Sequence, residues 1–399
     1  MAETCDVAVI GLGAMGAATL YHLARRGARA IGLDRFSPPH GCGSSHGETR
    51  ITREAVGEGR AYVPLVRRSH EIWRELERAT GKRLLMECGC LIIGRSDATT
   101  RHHRKPGFIK TTIELAKEFR ITHEELDAGM IAVRFPQFDG VGEDEAGYFE
   151  PGAGFLRPEE CIEVQLSEAA RIGGDKLVLK KNTRVCAIAQ HGNTVRVDTE
   201  AGVVEASRAV VSAGAWTAHL LGAPYDDLLT VTCQMLYWFR PDDPALYTDP
   251  RCPAFIRMWG SKDDEYFYGL PTPTDSIGVK IATEDLSARI DPDGLDSWKP
   301  SENGIDFFHR HLKGRMRGLS PPAFKVVRCL YTSTPDSNFI IDVHPTMPSV
   351  LVISACSGHG FKHSAAIGEL AAIGDTDSPL LKPFRLPQIP ERMSAEVSG

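Results

Sequence analysis

Three glycines, Gly11, Gly13 and Gly16, stand in G-x-G-x-x-G spacing directly after the apolar run Val7, Val9 and Ile10. The first permits a tight turn, the second lets a pyrophosphate approach the backbone, and the third lets helix and strand pack closely. Ala14 and Met15 open the helix that follows, whose free N–H groups and partial positive charge suit phosphates. Asp34 stands where a carboxylate accepts hydrogen bonds from ribose hydroxyls. These residues predict a dinucleotide site, with NAD and FAD both open. Arg35 reads either as a contact to a 2′-phosphate or as a solvent-facing arginine after a strand.

A second group crowds into the stretch from His40 to Arg53, where Ser44, Ser45, His46, Thr49 and Arg50 lie between them. Arg50 and Arg53 are three apart, so on a helix they share a face. Two guanidinium forks on one face clamp a carboxylate. A solvated basic turn paired with Glu48 and Glu54 fits the local sequence equally well. A third group is Ser357–Lys362, SGHGFK, a glycine turn between a strand and a helix, suited to a polar group of a cofactor or to an anion. The strand ending at Ala213-Gly214 permits close backbone approach or simply a tight turn.

The elements that position these groups follow from periodicity and punctuation. Asp6–Arg35 reads as strand, turn, helix and strand, with Gly27 stopping the helix. Helices are predicted over Tyr62–Leu76, Thr112–Phe119, His123–Met130 and Pro158–Ile172. Pro158 suits the first turn of the last of these, and Glu159 and Glu160 suit its positive end. Leu84–Gly94, Gly147–Arg157 and Leu229–Arg240 read as β-rich. Val185–Val197 and Gly202–Val211 read as a hairpin-like pair, and Tyr266–Leu270 and Ile277–Thr283 as strands. A helix is predicted over Ile305–Lys313, then strands over Phe339–Asp342 and Val350–Ser354. The tail from Pro383 to Gly399 reads as irregular.

The chain has 399 residues, enough for two domains. A formal net charge of −6 argues against an electrostatic nucleic-acid binder. No apolar run reaches membrane-spanning length, and the first strand starts too early to leave room for a signal peptide. The expectation is a cytoplasmic protein with no nucleic-acid or membrane partner. Its ten cysteines are scattered, and C-G-C at Cys88–Cys90 lacks zinc-site spacing. Most therefore read as reduced, buried small hydrophobes, and no metal site is expected.

The combination of VIGLGAMG with Asp34, PPHGCGSSHGETRITR, GEGRAYVPL, GAGFLRPEECI, VVSAGAWT, CLYTSTPDSNFIID and SGHGFK resembles the monomeric sarcosine oxidase family of FAD-containing amine oxidases. That family includes N-methyltryptophan and pipecolate oxidases, and the similar motifs span nearly the whole chain. The resemblance implies FAD, attached as an 8α-S-cysteinyl group through Cys329. It implies further cofactor contacts from Ser44, Ser45, Thr49, Val185, Ala213, Gly214, Trp216, Gly358, His359, Gly360, Phe361 and Lys362. Arg53 and Lys362 match the residues that hold substrate carboxylate, with Tyr268 beside the substrate. Arg50, His46 and Tyr331 match residues near the flavin ring. Lys280 matches the lysine that activates oxygen, where a fixed cation in a dry site favours superoxide. Arg328 is a candidate activator of the Cys329 thiol.

One departure stands out. Glu284 occupies the position, four residues after Lys280, where sarcosine oxidase has a histidine. Sarcosine is therefore no better a candidate substrate than a larger or cyclic secondary amino acid. The implied activity is oxidation of a secondary α-amino acid to an imine, with oxygen reduced to hydrogen peroxide, by a monomer. A flavin dehydrogenase with another acceptor and a non-catalytic flavin-binding subunit are the rivals. The implied fold is α/β, with a discontinuous Rossmann-like FAD-binding domain (residues 1–85, 150–218 and 322–399). A second, β-sheet-rich α+β substrate domain takes residues 86–149 and 219–321.

Overall fold

A computed structural model describes residues 2–95, 101–262, 264–273, 278–295 and 304–387. The fingerprint region folds as its pattern predicts. Strand Glu3–Ile10 leads into helix Ala14–Arg25 and then strand Ala30–Leu33, which is buried along its whole length, as central parallel strands are. These strands pair in parallel with each other, with Leu177–Lys180 on one side and with Gly202–Val211 on the other. Gly202–Val211 is a shared strand. Its first half pairs with Thr194–Thr199 and its last residues pair in parallel with Met347–Ser354, which pairs in turn with Ile340–His344.

Helix Ser364–Ile373 packs on the fingerprint helix, and Pro158–Gly173 lies against the same helix. At Gly368 a Cβ would come 2.4 Å from the Cβ of Ala18, so the glycine sets how closely the first and last of these helices approach. Helix Tyr62–Thr80 buries a stripe of Val63, Val66, Trp73 and Leu76 and ends at Gly81 in the left-handed conformation.

The second sheet is mixed. Its order runs Lys325–Ser333, Thr230–Phe239, Val279–Ala282, Tyr266–Leu270, Ala254–Met258, Cys90–Arg95, Glu145–Glu150, Glu124–Leu126. Its strands pair antiparallel apart from Ala254–Met258 with Cys90–Arg95, which run parallel. Lys325–Ser333, beyond residue 322, belongs to this sheet and carries Cys329 and Tyr331. The architecture is thus an α/β nucleotide-binding layer joined to a second, β-rich unit.

Several expectations need correction. Arg50–Thr52 is a strand, not part of a helix, so Arg50 and Arg53 do not share a helical face. His123–Met130 divides into strand Glu124–Leu126 and helix Ala128–Arg134. Asp127 separates them because its side chain accepts from the Met130 N–H at 2.7 Å and caps the helix. Val185–Val197 is a hairpin in itself, Val185–His191 with Thr194–Thr199, turned at Gly192 with φ +59°. Strands Leu177–Lys180 and Ala254–Met258 were not anticipated. Part of the irregular tail, 388–399, and the start of the strand expected at Ile277 lie outside the described residues.

Candidate functional site

The fingerprint turn is packed to the limit. Gly11 has φ +86°, and a Cβ there would lie 2.5 Å from the Ser212 carbonyl oxygen. A Cβ on Gly16 would lie 1.8 Å from the Gly11 carbonyl oxygen. Real Cβ atoms do not approach backbone so closely, so both positions require glycine. Asp34 steadies the turn by accepting from the Leu12 N–H at 2.7 Å and the Phe36 N–H at 2.8 Å. Arg35 is not solvent-facing. It donates to Asp293 at 2.7 Å and lies over the rings of Phe36 and Trp216, while the Trp216 indole donates to the same Asp293 oxygen at 2.7 Å.

A cavity runs from this turn to the Ser357–Lys362 turn. It is lined by Gly11, Gly13, Ala14, Met15, Asp34, Arg35, Ser44, Ser45, Thr49, Val185, Ala213, Gly214 and Trp216 toward one end. Arg50, Arg53, Tyr268, Lys280, Tyr331, Gly358, His359, Gly360, Phe361 and Lys362 line the remainder. Gly16, His46 and Cys329, though expected in the site, are not among the lining residues. Gly16 supports the turn from behind. His46 is buried with Nε2 3.0 Å from the Gly43 carbonyl, and burial together with Arg50 and Lys280 pulls its pKa down to about 3.

Strand position explains the middle of the cavity. Lys280 projects from Val279–Ala282 and is buried. Its ammonium donates to the carbonyls of Gly47 at 2.7 Å and Thr49 at 2.8 Å. Burial first, and then Arg50, pull its pKa well below the usual lysine range. Cys329 and Tyr331, two apart on one strand, share a face. The Arg50 guanidinium reaches the Cys329 sulfur at 3.5 Å and the Ser44 carbonyl at 2.7 Å. Arg50, not Arg328, is therefore the cation against this thiol, and it opposes the upward shift that burial gives the thiol pKa. The Tyr268 and Tyr331 hydroxyls are 3.1 Å apart.

The far end holds a buried ionic cluster. Arg53 donates to Glu58 at 2.9 Å, and Lys362 lies 3.3 Å from the other Glu58 oxygen. Burial would raise the Glu58 pKa, but Arg53 and Lys362 hold it well below the usual carboxylate range. Burial brings Lys362 down to about 8 against the pull of Glu58. The expected clamp is thus brought together, with Glu58 as its internal counter-ion. Two cations share one paired carboxylate, and the Arg53 Nε–H is buried without a hydrogen-bond partner, so a donor is left for an incoming anion. His103 lies between Glu58, 3.7 Å away, and Glu284, 3.0 Å away.

Sequence reasoning missed Asp293, Glu58, His102 and His103 as site residues. Glu58 had a usable signal, since it sits within GEGRAYVPL five residues from Arg53. The other three come from distant segments with no local signature.

Two glycine-built cradles joined by one elongated cavity suit a dinucleotide. At the second, a Cβ on Gly360 would lie 1.8 Å from the Ala355 carbonyl. A family model described as FAD dependent oxidoreductase matches residues 6–372. The chain belongs to this family. Within it, the FAD-dependent oxidoreductase is 35% identical to a monomeric sarcosine oxidase of Streptomyces avermitilis over 402 residues, covering 98% of this chain and all of the relative. It is 33% identical to an N-methyl-L-tryptophan oxidase of Salmonella heidelberg, covering 96% and 98% of the two chains. Among solved structures, NikD, an unusual amino acid oxidase essential for nikkomycin biosynthesis, shares the fold with a TM-score of 0.77 at 23% identity, covering 94% and 95%. The cofactor of this flavoprotein is FAD, and the cradle at Gly11–Gly16 with Asp34 has the form that suits a dinucleotide.

Proposed function

We propose that this flavoprotein is an oxidase of secondary α-amino acids, N-methyl or cyclic, that yields an imine and hydrogen peroxide. The observation that carries this reading is a pair of buried cations, Arg53 and Lys362, that share the single carboxylate of Glu58 in the wall of the cavity, with the Arg53 Nε–H left without a hydrogen-bond partner. Bound FAD supplies the two-electron oxidation of the carbon–nitrogen bond. Arg53 and Lys362 hold the substrate carboxylate and so fix where the amine lies. Burial among cations disfavours a bound ammonium, so the amine reacts as its free base. Lys280 provides a positive charge for oxygen reduction. The relatives named as sarcosine and N-methyltryptophan oxidases support the same substrate class. Residues 1–85, 150–218 and 322–399 are the proposed cofactor domain, with strand Lys325–Ser333 lending Cys329 from the other sheet. A cytoplasmic monomer completes the reading; among the described residues no helix is long and apolar enough to cross a membrane.

Anaerobic mixing with a panel of N-methyl and cyclic amino acids tests the reading. Saturable loss of the oxidised flavin absorbance is expected, followed by peroxide when air is admitted. In Arg53→Met and in Lys362→Met the half-saturating concentration rises about 10- to 100-fold, the worth of a charge-assisted hydrogen bond. Flavin that no amine reduces would point to a non-catalytic subunit. Reduction without peroxide would point to a dehydrogenase using another acceptor.

The covalent link is proposed at Cys329, with Arg50 stabilising the thiolate. A fluorescent flavin band surviving denaturing electrophoresis is expected in the native protein and absent in Cys329→Ala. A band that persists in the variant refutes this attachment point.

A further inference from the structure

The cluster does not end at Glu58. His103 spans from it to Glu284, a second carboxylate that lines the cavity and is only 7% exposed. Glu284 differs from Glu58 in its company. Among the described residues its only ion-pairing partner is His103, whose own pKa burial lowers to about 3, so the ring is neutral. Nor is that contact a good hydrogen bond. Nδ1 is close to the carboxyl group but not aligned with it, and it is a buried polar atom without a partner. Burial raises the Glu284 pKa, and the neighbouring Tyr266 hydroxyl only partly opposes that shift. Gly358, with φ +79°, makes room for the carboxyl group, since a Cβ there would stand 2.1 Å from a Glu284 oxygen.

A buried carboxyl group with no full cation paired to it among the described residues, its pKa raised by burial, is costly to ionise unless something hydrogen-bonds to it. We infer that Glu284 and His103 form a specificity subsite for a hydrogen-bond donor, hydroxyl or ammonium, carried on the substrate a few bonds from the reacting amine. This deepens the amine-oxidase reading and rests on it. The substrate then matches the cavity at two poles: its carboxylate answers Arg53 and Lys362, and its donor answers Glu284. A hydroxyl suits the second pole especially well, because it can donate to the carboxylate and accept from the imidazole. A substrate ending in a methyl group leaves the same polar atoms unpaired, and buried sites built for a hydrogen bond discriminate strongly against such analogues.

Two isosteric pairs test this with the holoenzyme: N-(2-hydroxyethyl)glycine against N-propylglycine, and N-methylserine against N-methyl-2-aminobutyrate. The readout is the anaerobic rate constant for flavin reduction divided by the half-saturating concentration. The hydroxylated member of at least one pair is expected to lead by about tenfold or more. In Glu284→Gln that ratio collapses toward unity, and Glu284→Asp, which keeps the carboxylate, recovers part of it. Because each ratio is taken within one protein, a general loss of activity or of flavin does not mimic the result. Equal rates within both pairs, or a preference unchanged in Glu284→Gln, overturn the subsite and leave the amine-oxidase reading standing. No reduction by any of the four compounds overturns both.

Discussion

Replacing Lys280 with methionine slows reoxidation of the reduced flavin by oxygen about 10²- to 10³-fold, the usual loss when one preorganised charge is removed from a dry site. Reduction by the amine changes far less. Stopped-flow measurement of the two half-reactions separates them, and equal slowing of both would falsify the oxygen role. The structure explains why the side chain is suited to it. The ammonium is held by the carbonyls of Gly47 and Thr49, so it is fixed in place with no carboxylate in direct contact among the described residues. The same environment gives a pH dependence. Burial and Arg50 lower the lysine pKa, so its charge is present at low pH and is lost as pH rises through a value below the ordinary 10.5. The oxidative half-reaction is therefore expected to slow with rising pH in the native protein. A profile of the same shape in Lys280→Met would assign the titration to another group.

Gly16→Val yields protein that retains no flavin. A Cβ at this position would overlap the Gly11 carbonyl at 1.8 Å, and the obstacle is backbone that cannot rotate away. Pushing Gly11 aside moves it against the end of strand Gly202–Val211, where the Ser212 carbonyl already lies 2.5 Å from where a Gly11 Cβ would stand. The turn that presents N–H groups to phosphate is thus lost together with its support. Gly152→Ala is the matched control, since nothing lies within 4 Å of a Cβ there. The flavin-to-protein absorbance ratio after purification measures both. Full flavin content in Gly16→Val sinks the argument.

How far the sequence could be read depended on the range of the interactions. The strand–glycine turn–helix unit around Gly11 is a local pattern, and it folds as the pattern predicts. Helix Pro158–Gly173 carried its own start and stop signals and was found within a residue of its ends. Arg50 and Arg53 show the opposite. Their spacing suggested a helical face, but pairing with Gly154–Leu156, a hundred residues away, makes the segment a strand. The arginines then diverge, one to Cys329 and the other to Glu58. Asp293, His102 and His103 were illegible because their partners lie far along the chain. The resemblance to sarcosine oxidase singled out Lys280, Tyr331 and Lys362, which no periodicity argument could have done, and all three line one cavity.

The packing of helix Ser364–Ile373 on the fingerprint helix has a bearing on biosynthesis. Strand Met347–Ser354 completes the parallel sheet, and the final helix covers its first crossover. The fingerprint unit therefore leaves the ribosome more than three hundred residues ahead of the helix that closes its layer. Nascent chains usually settle domain by domain from the N-terminus, but here the whole β-rich unit is synthesised before the flavin has a finished seat. A premature stop ahead of Gly358 removes the second glycine cradle and with it part of the cavity wall, so such fragments are expected to hold no flavin.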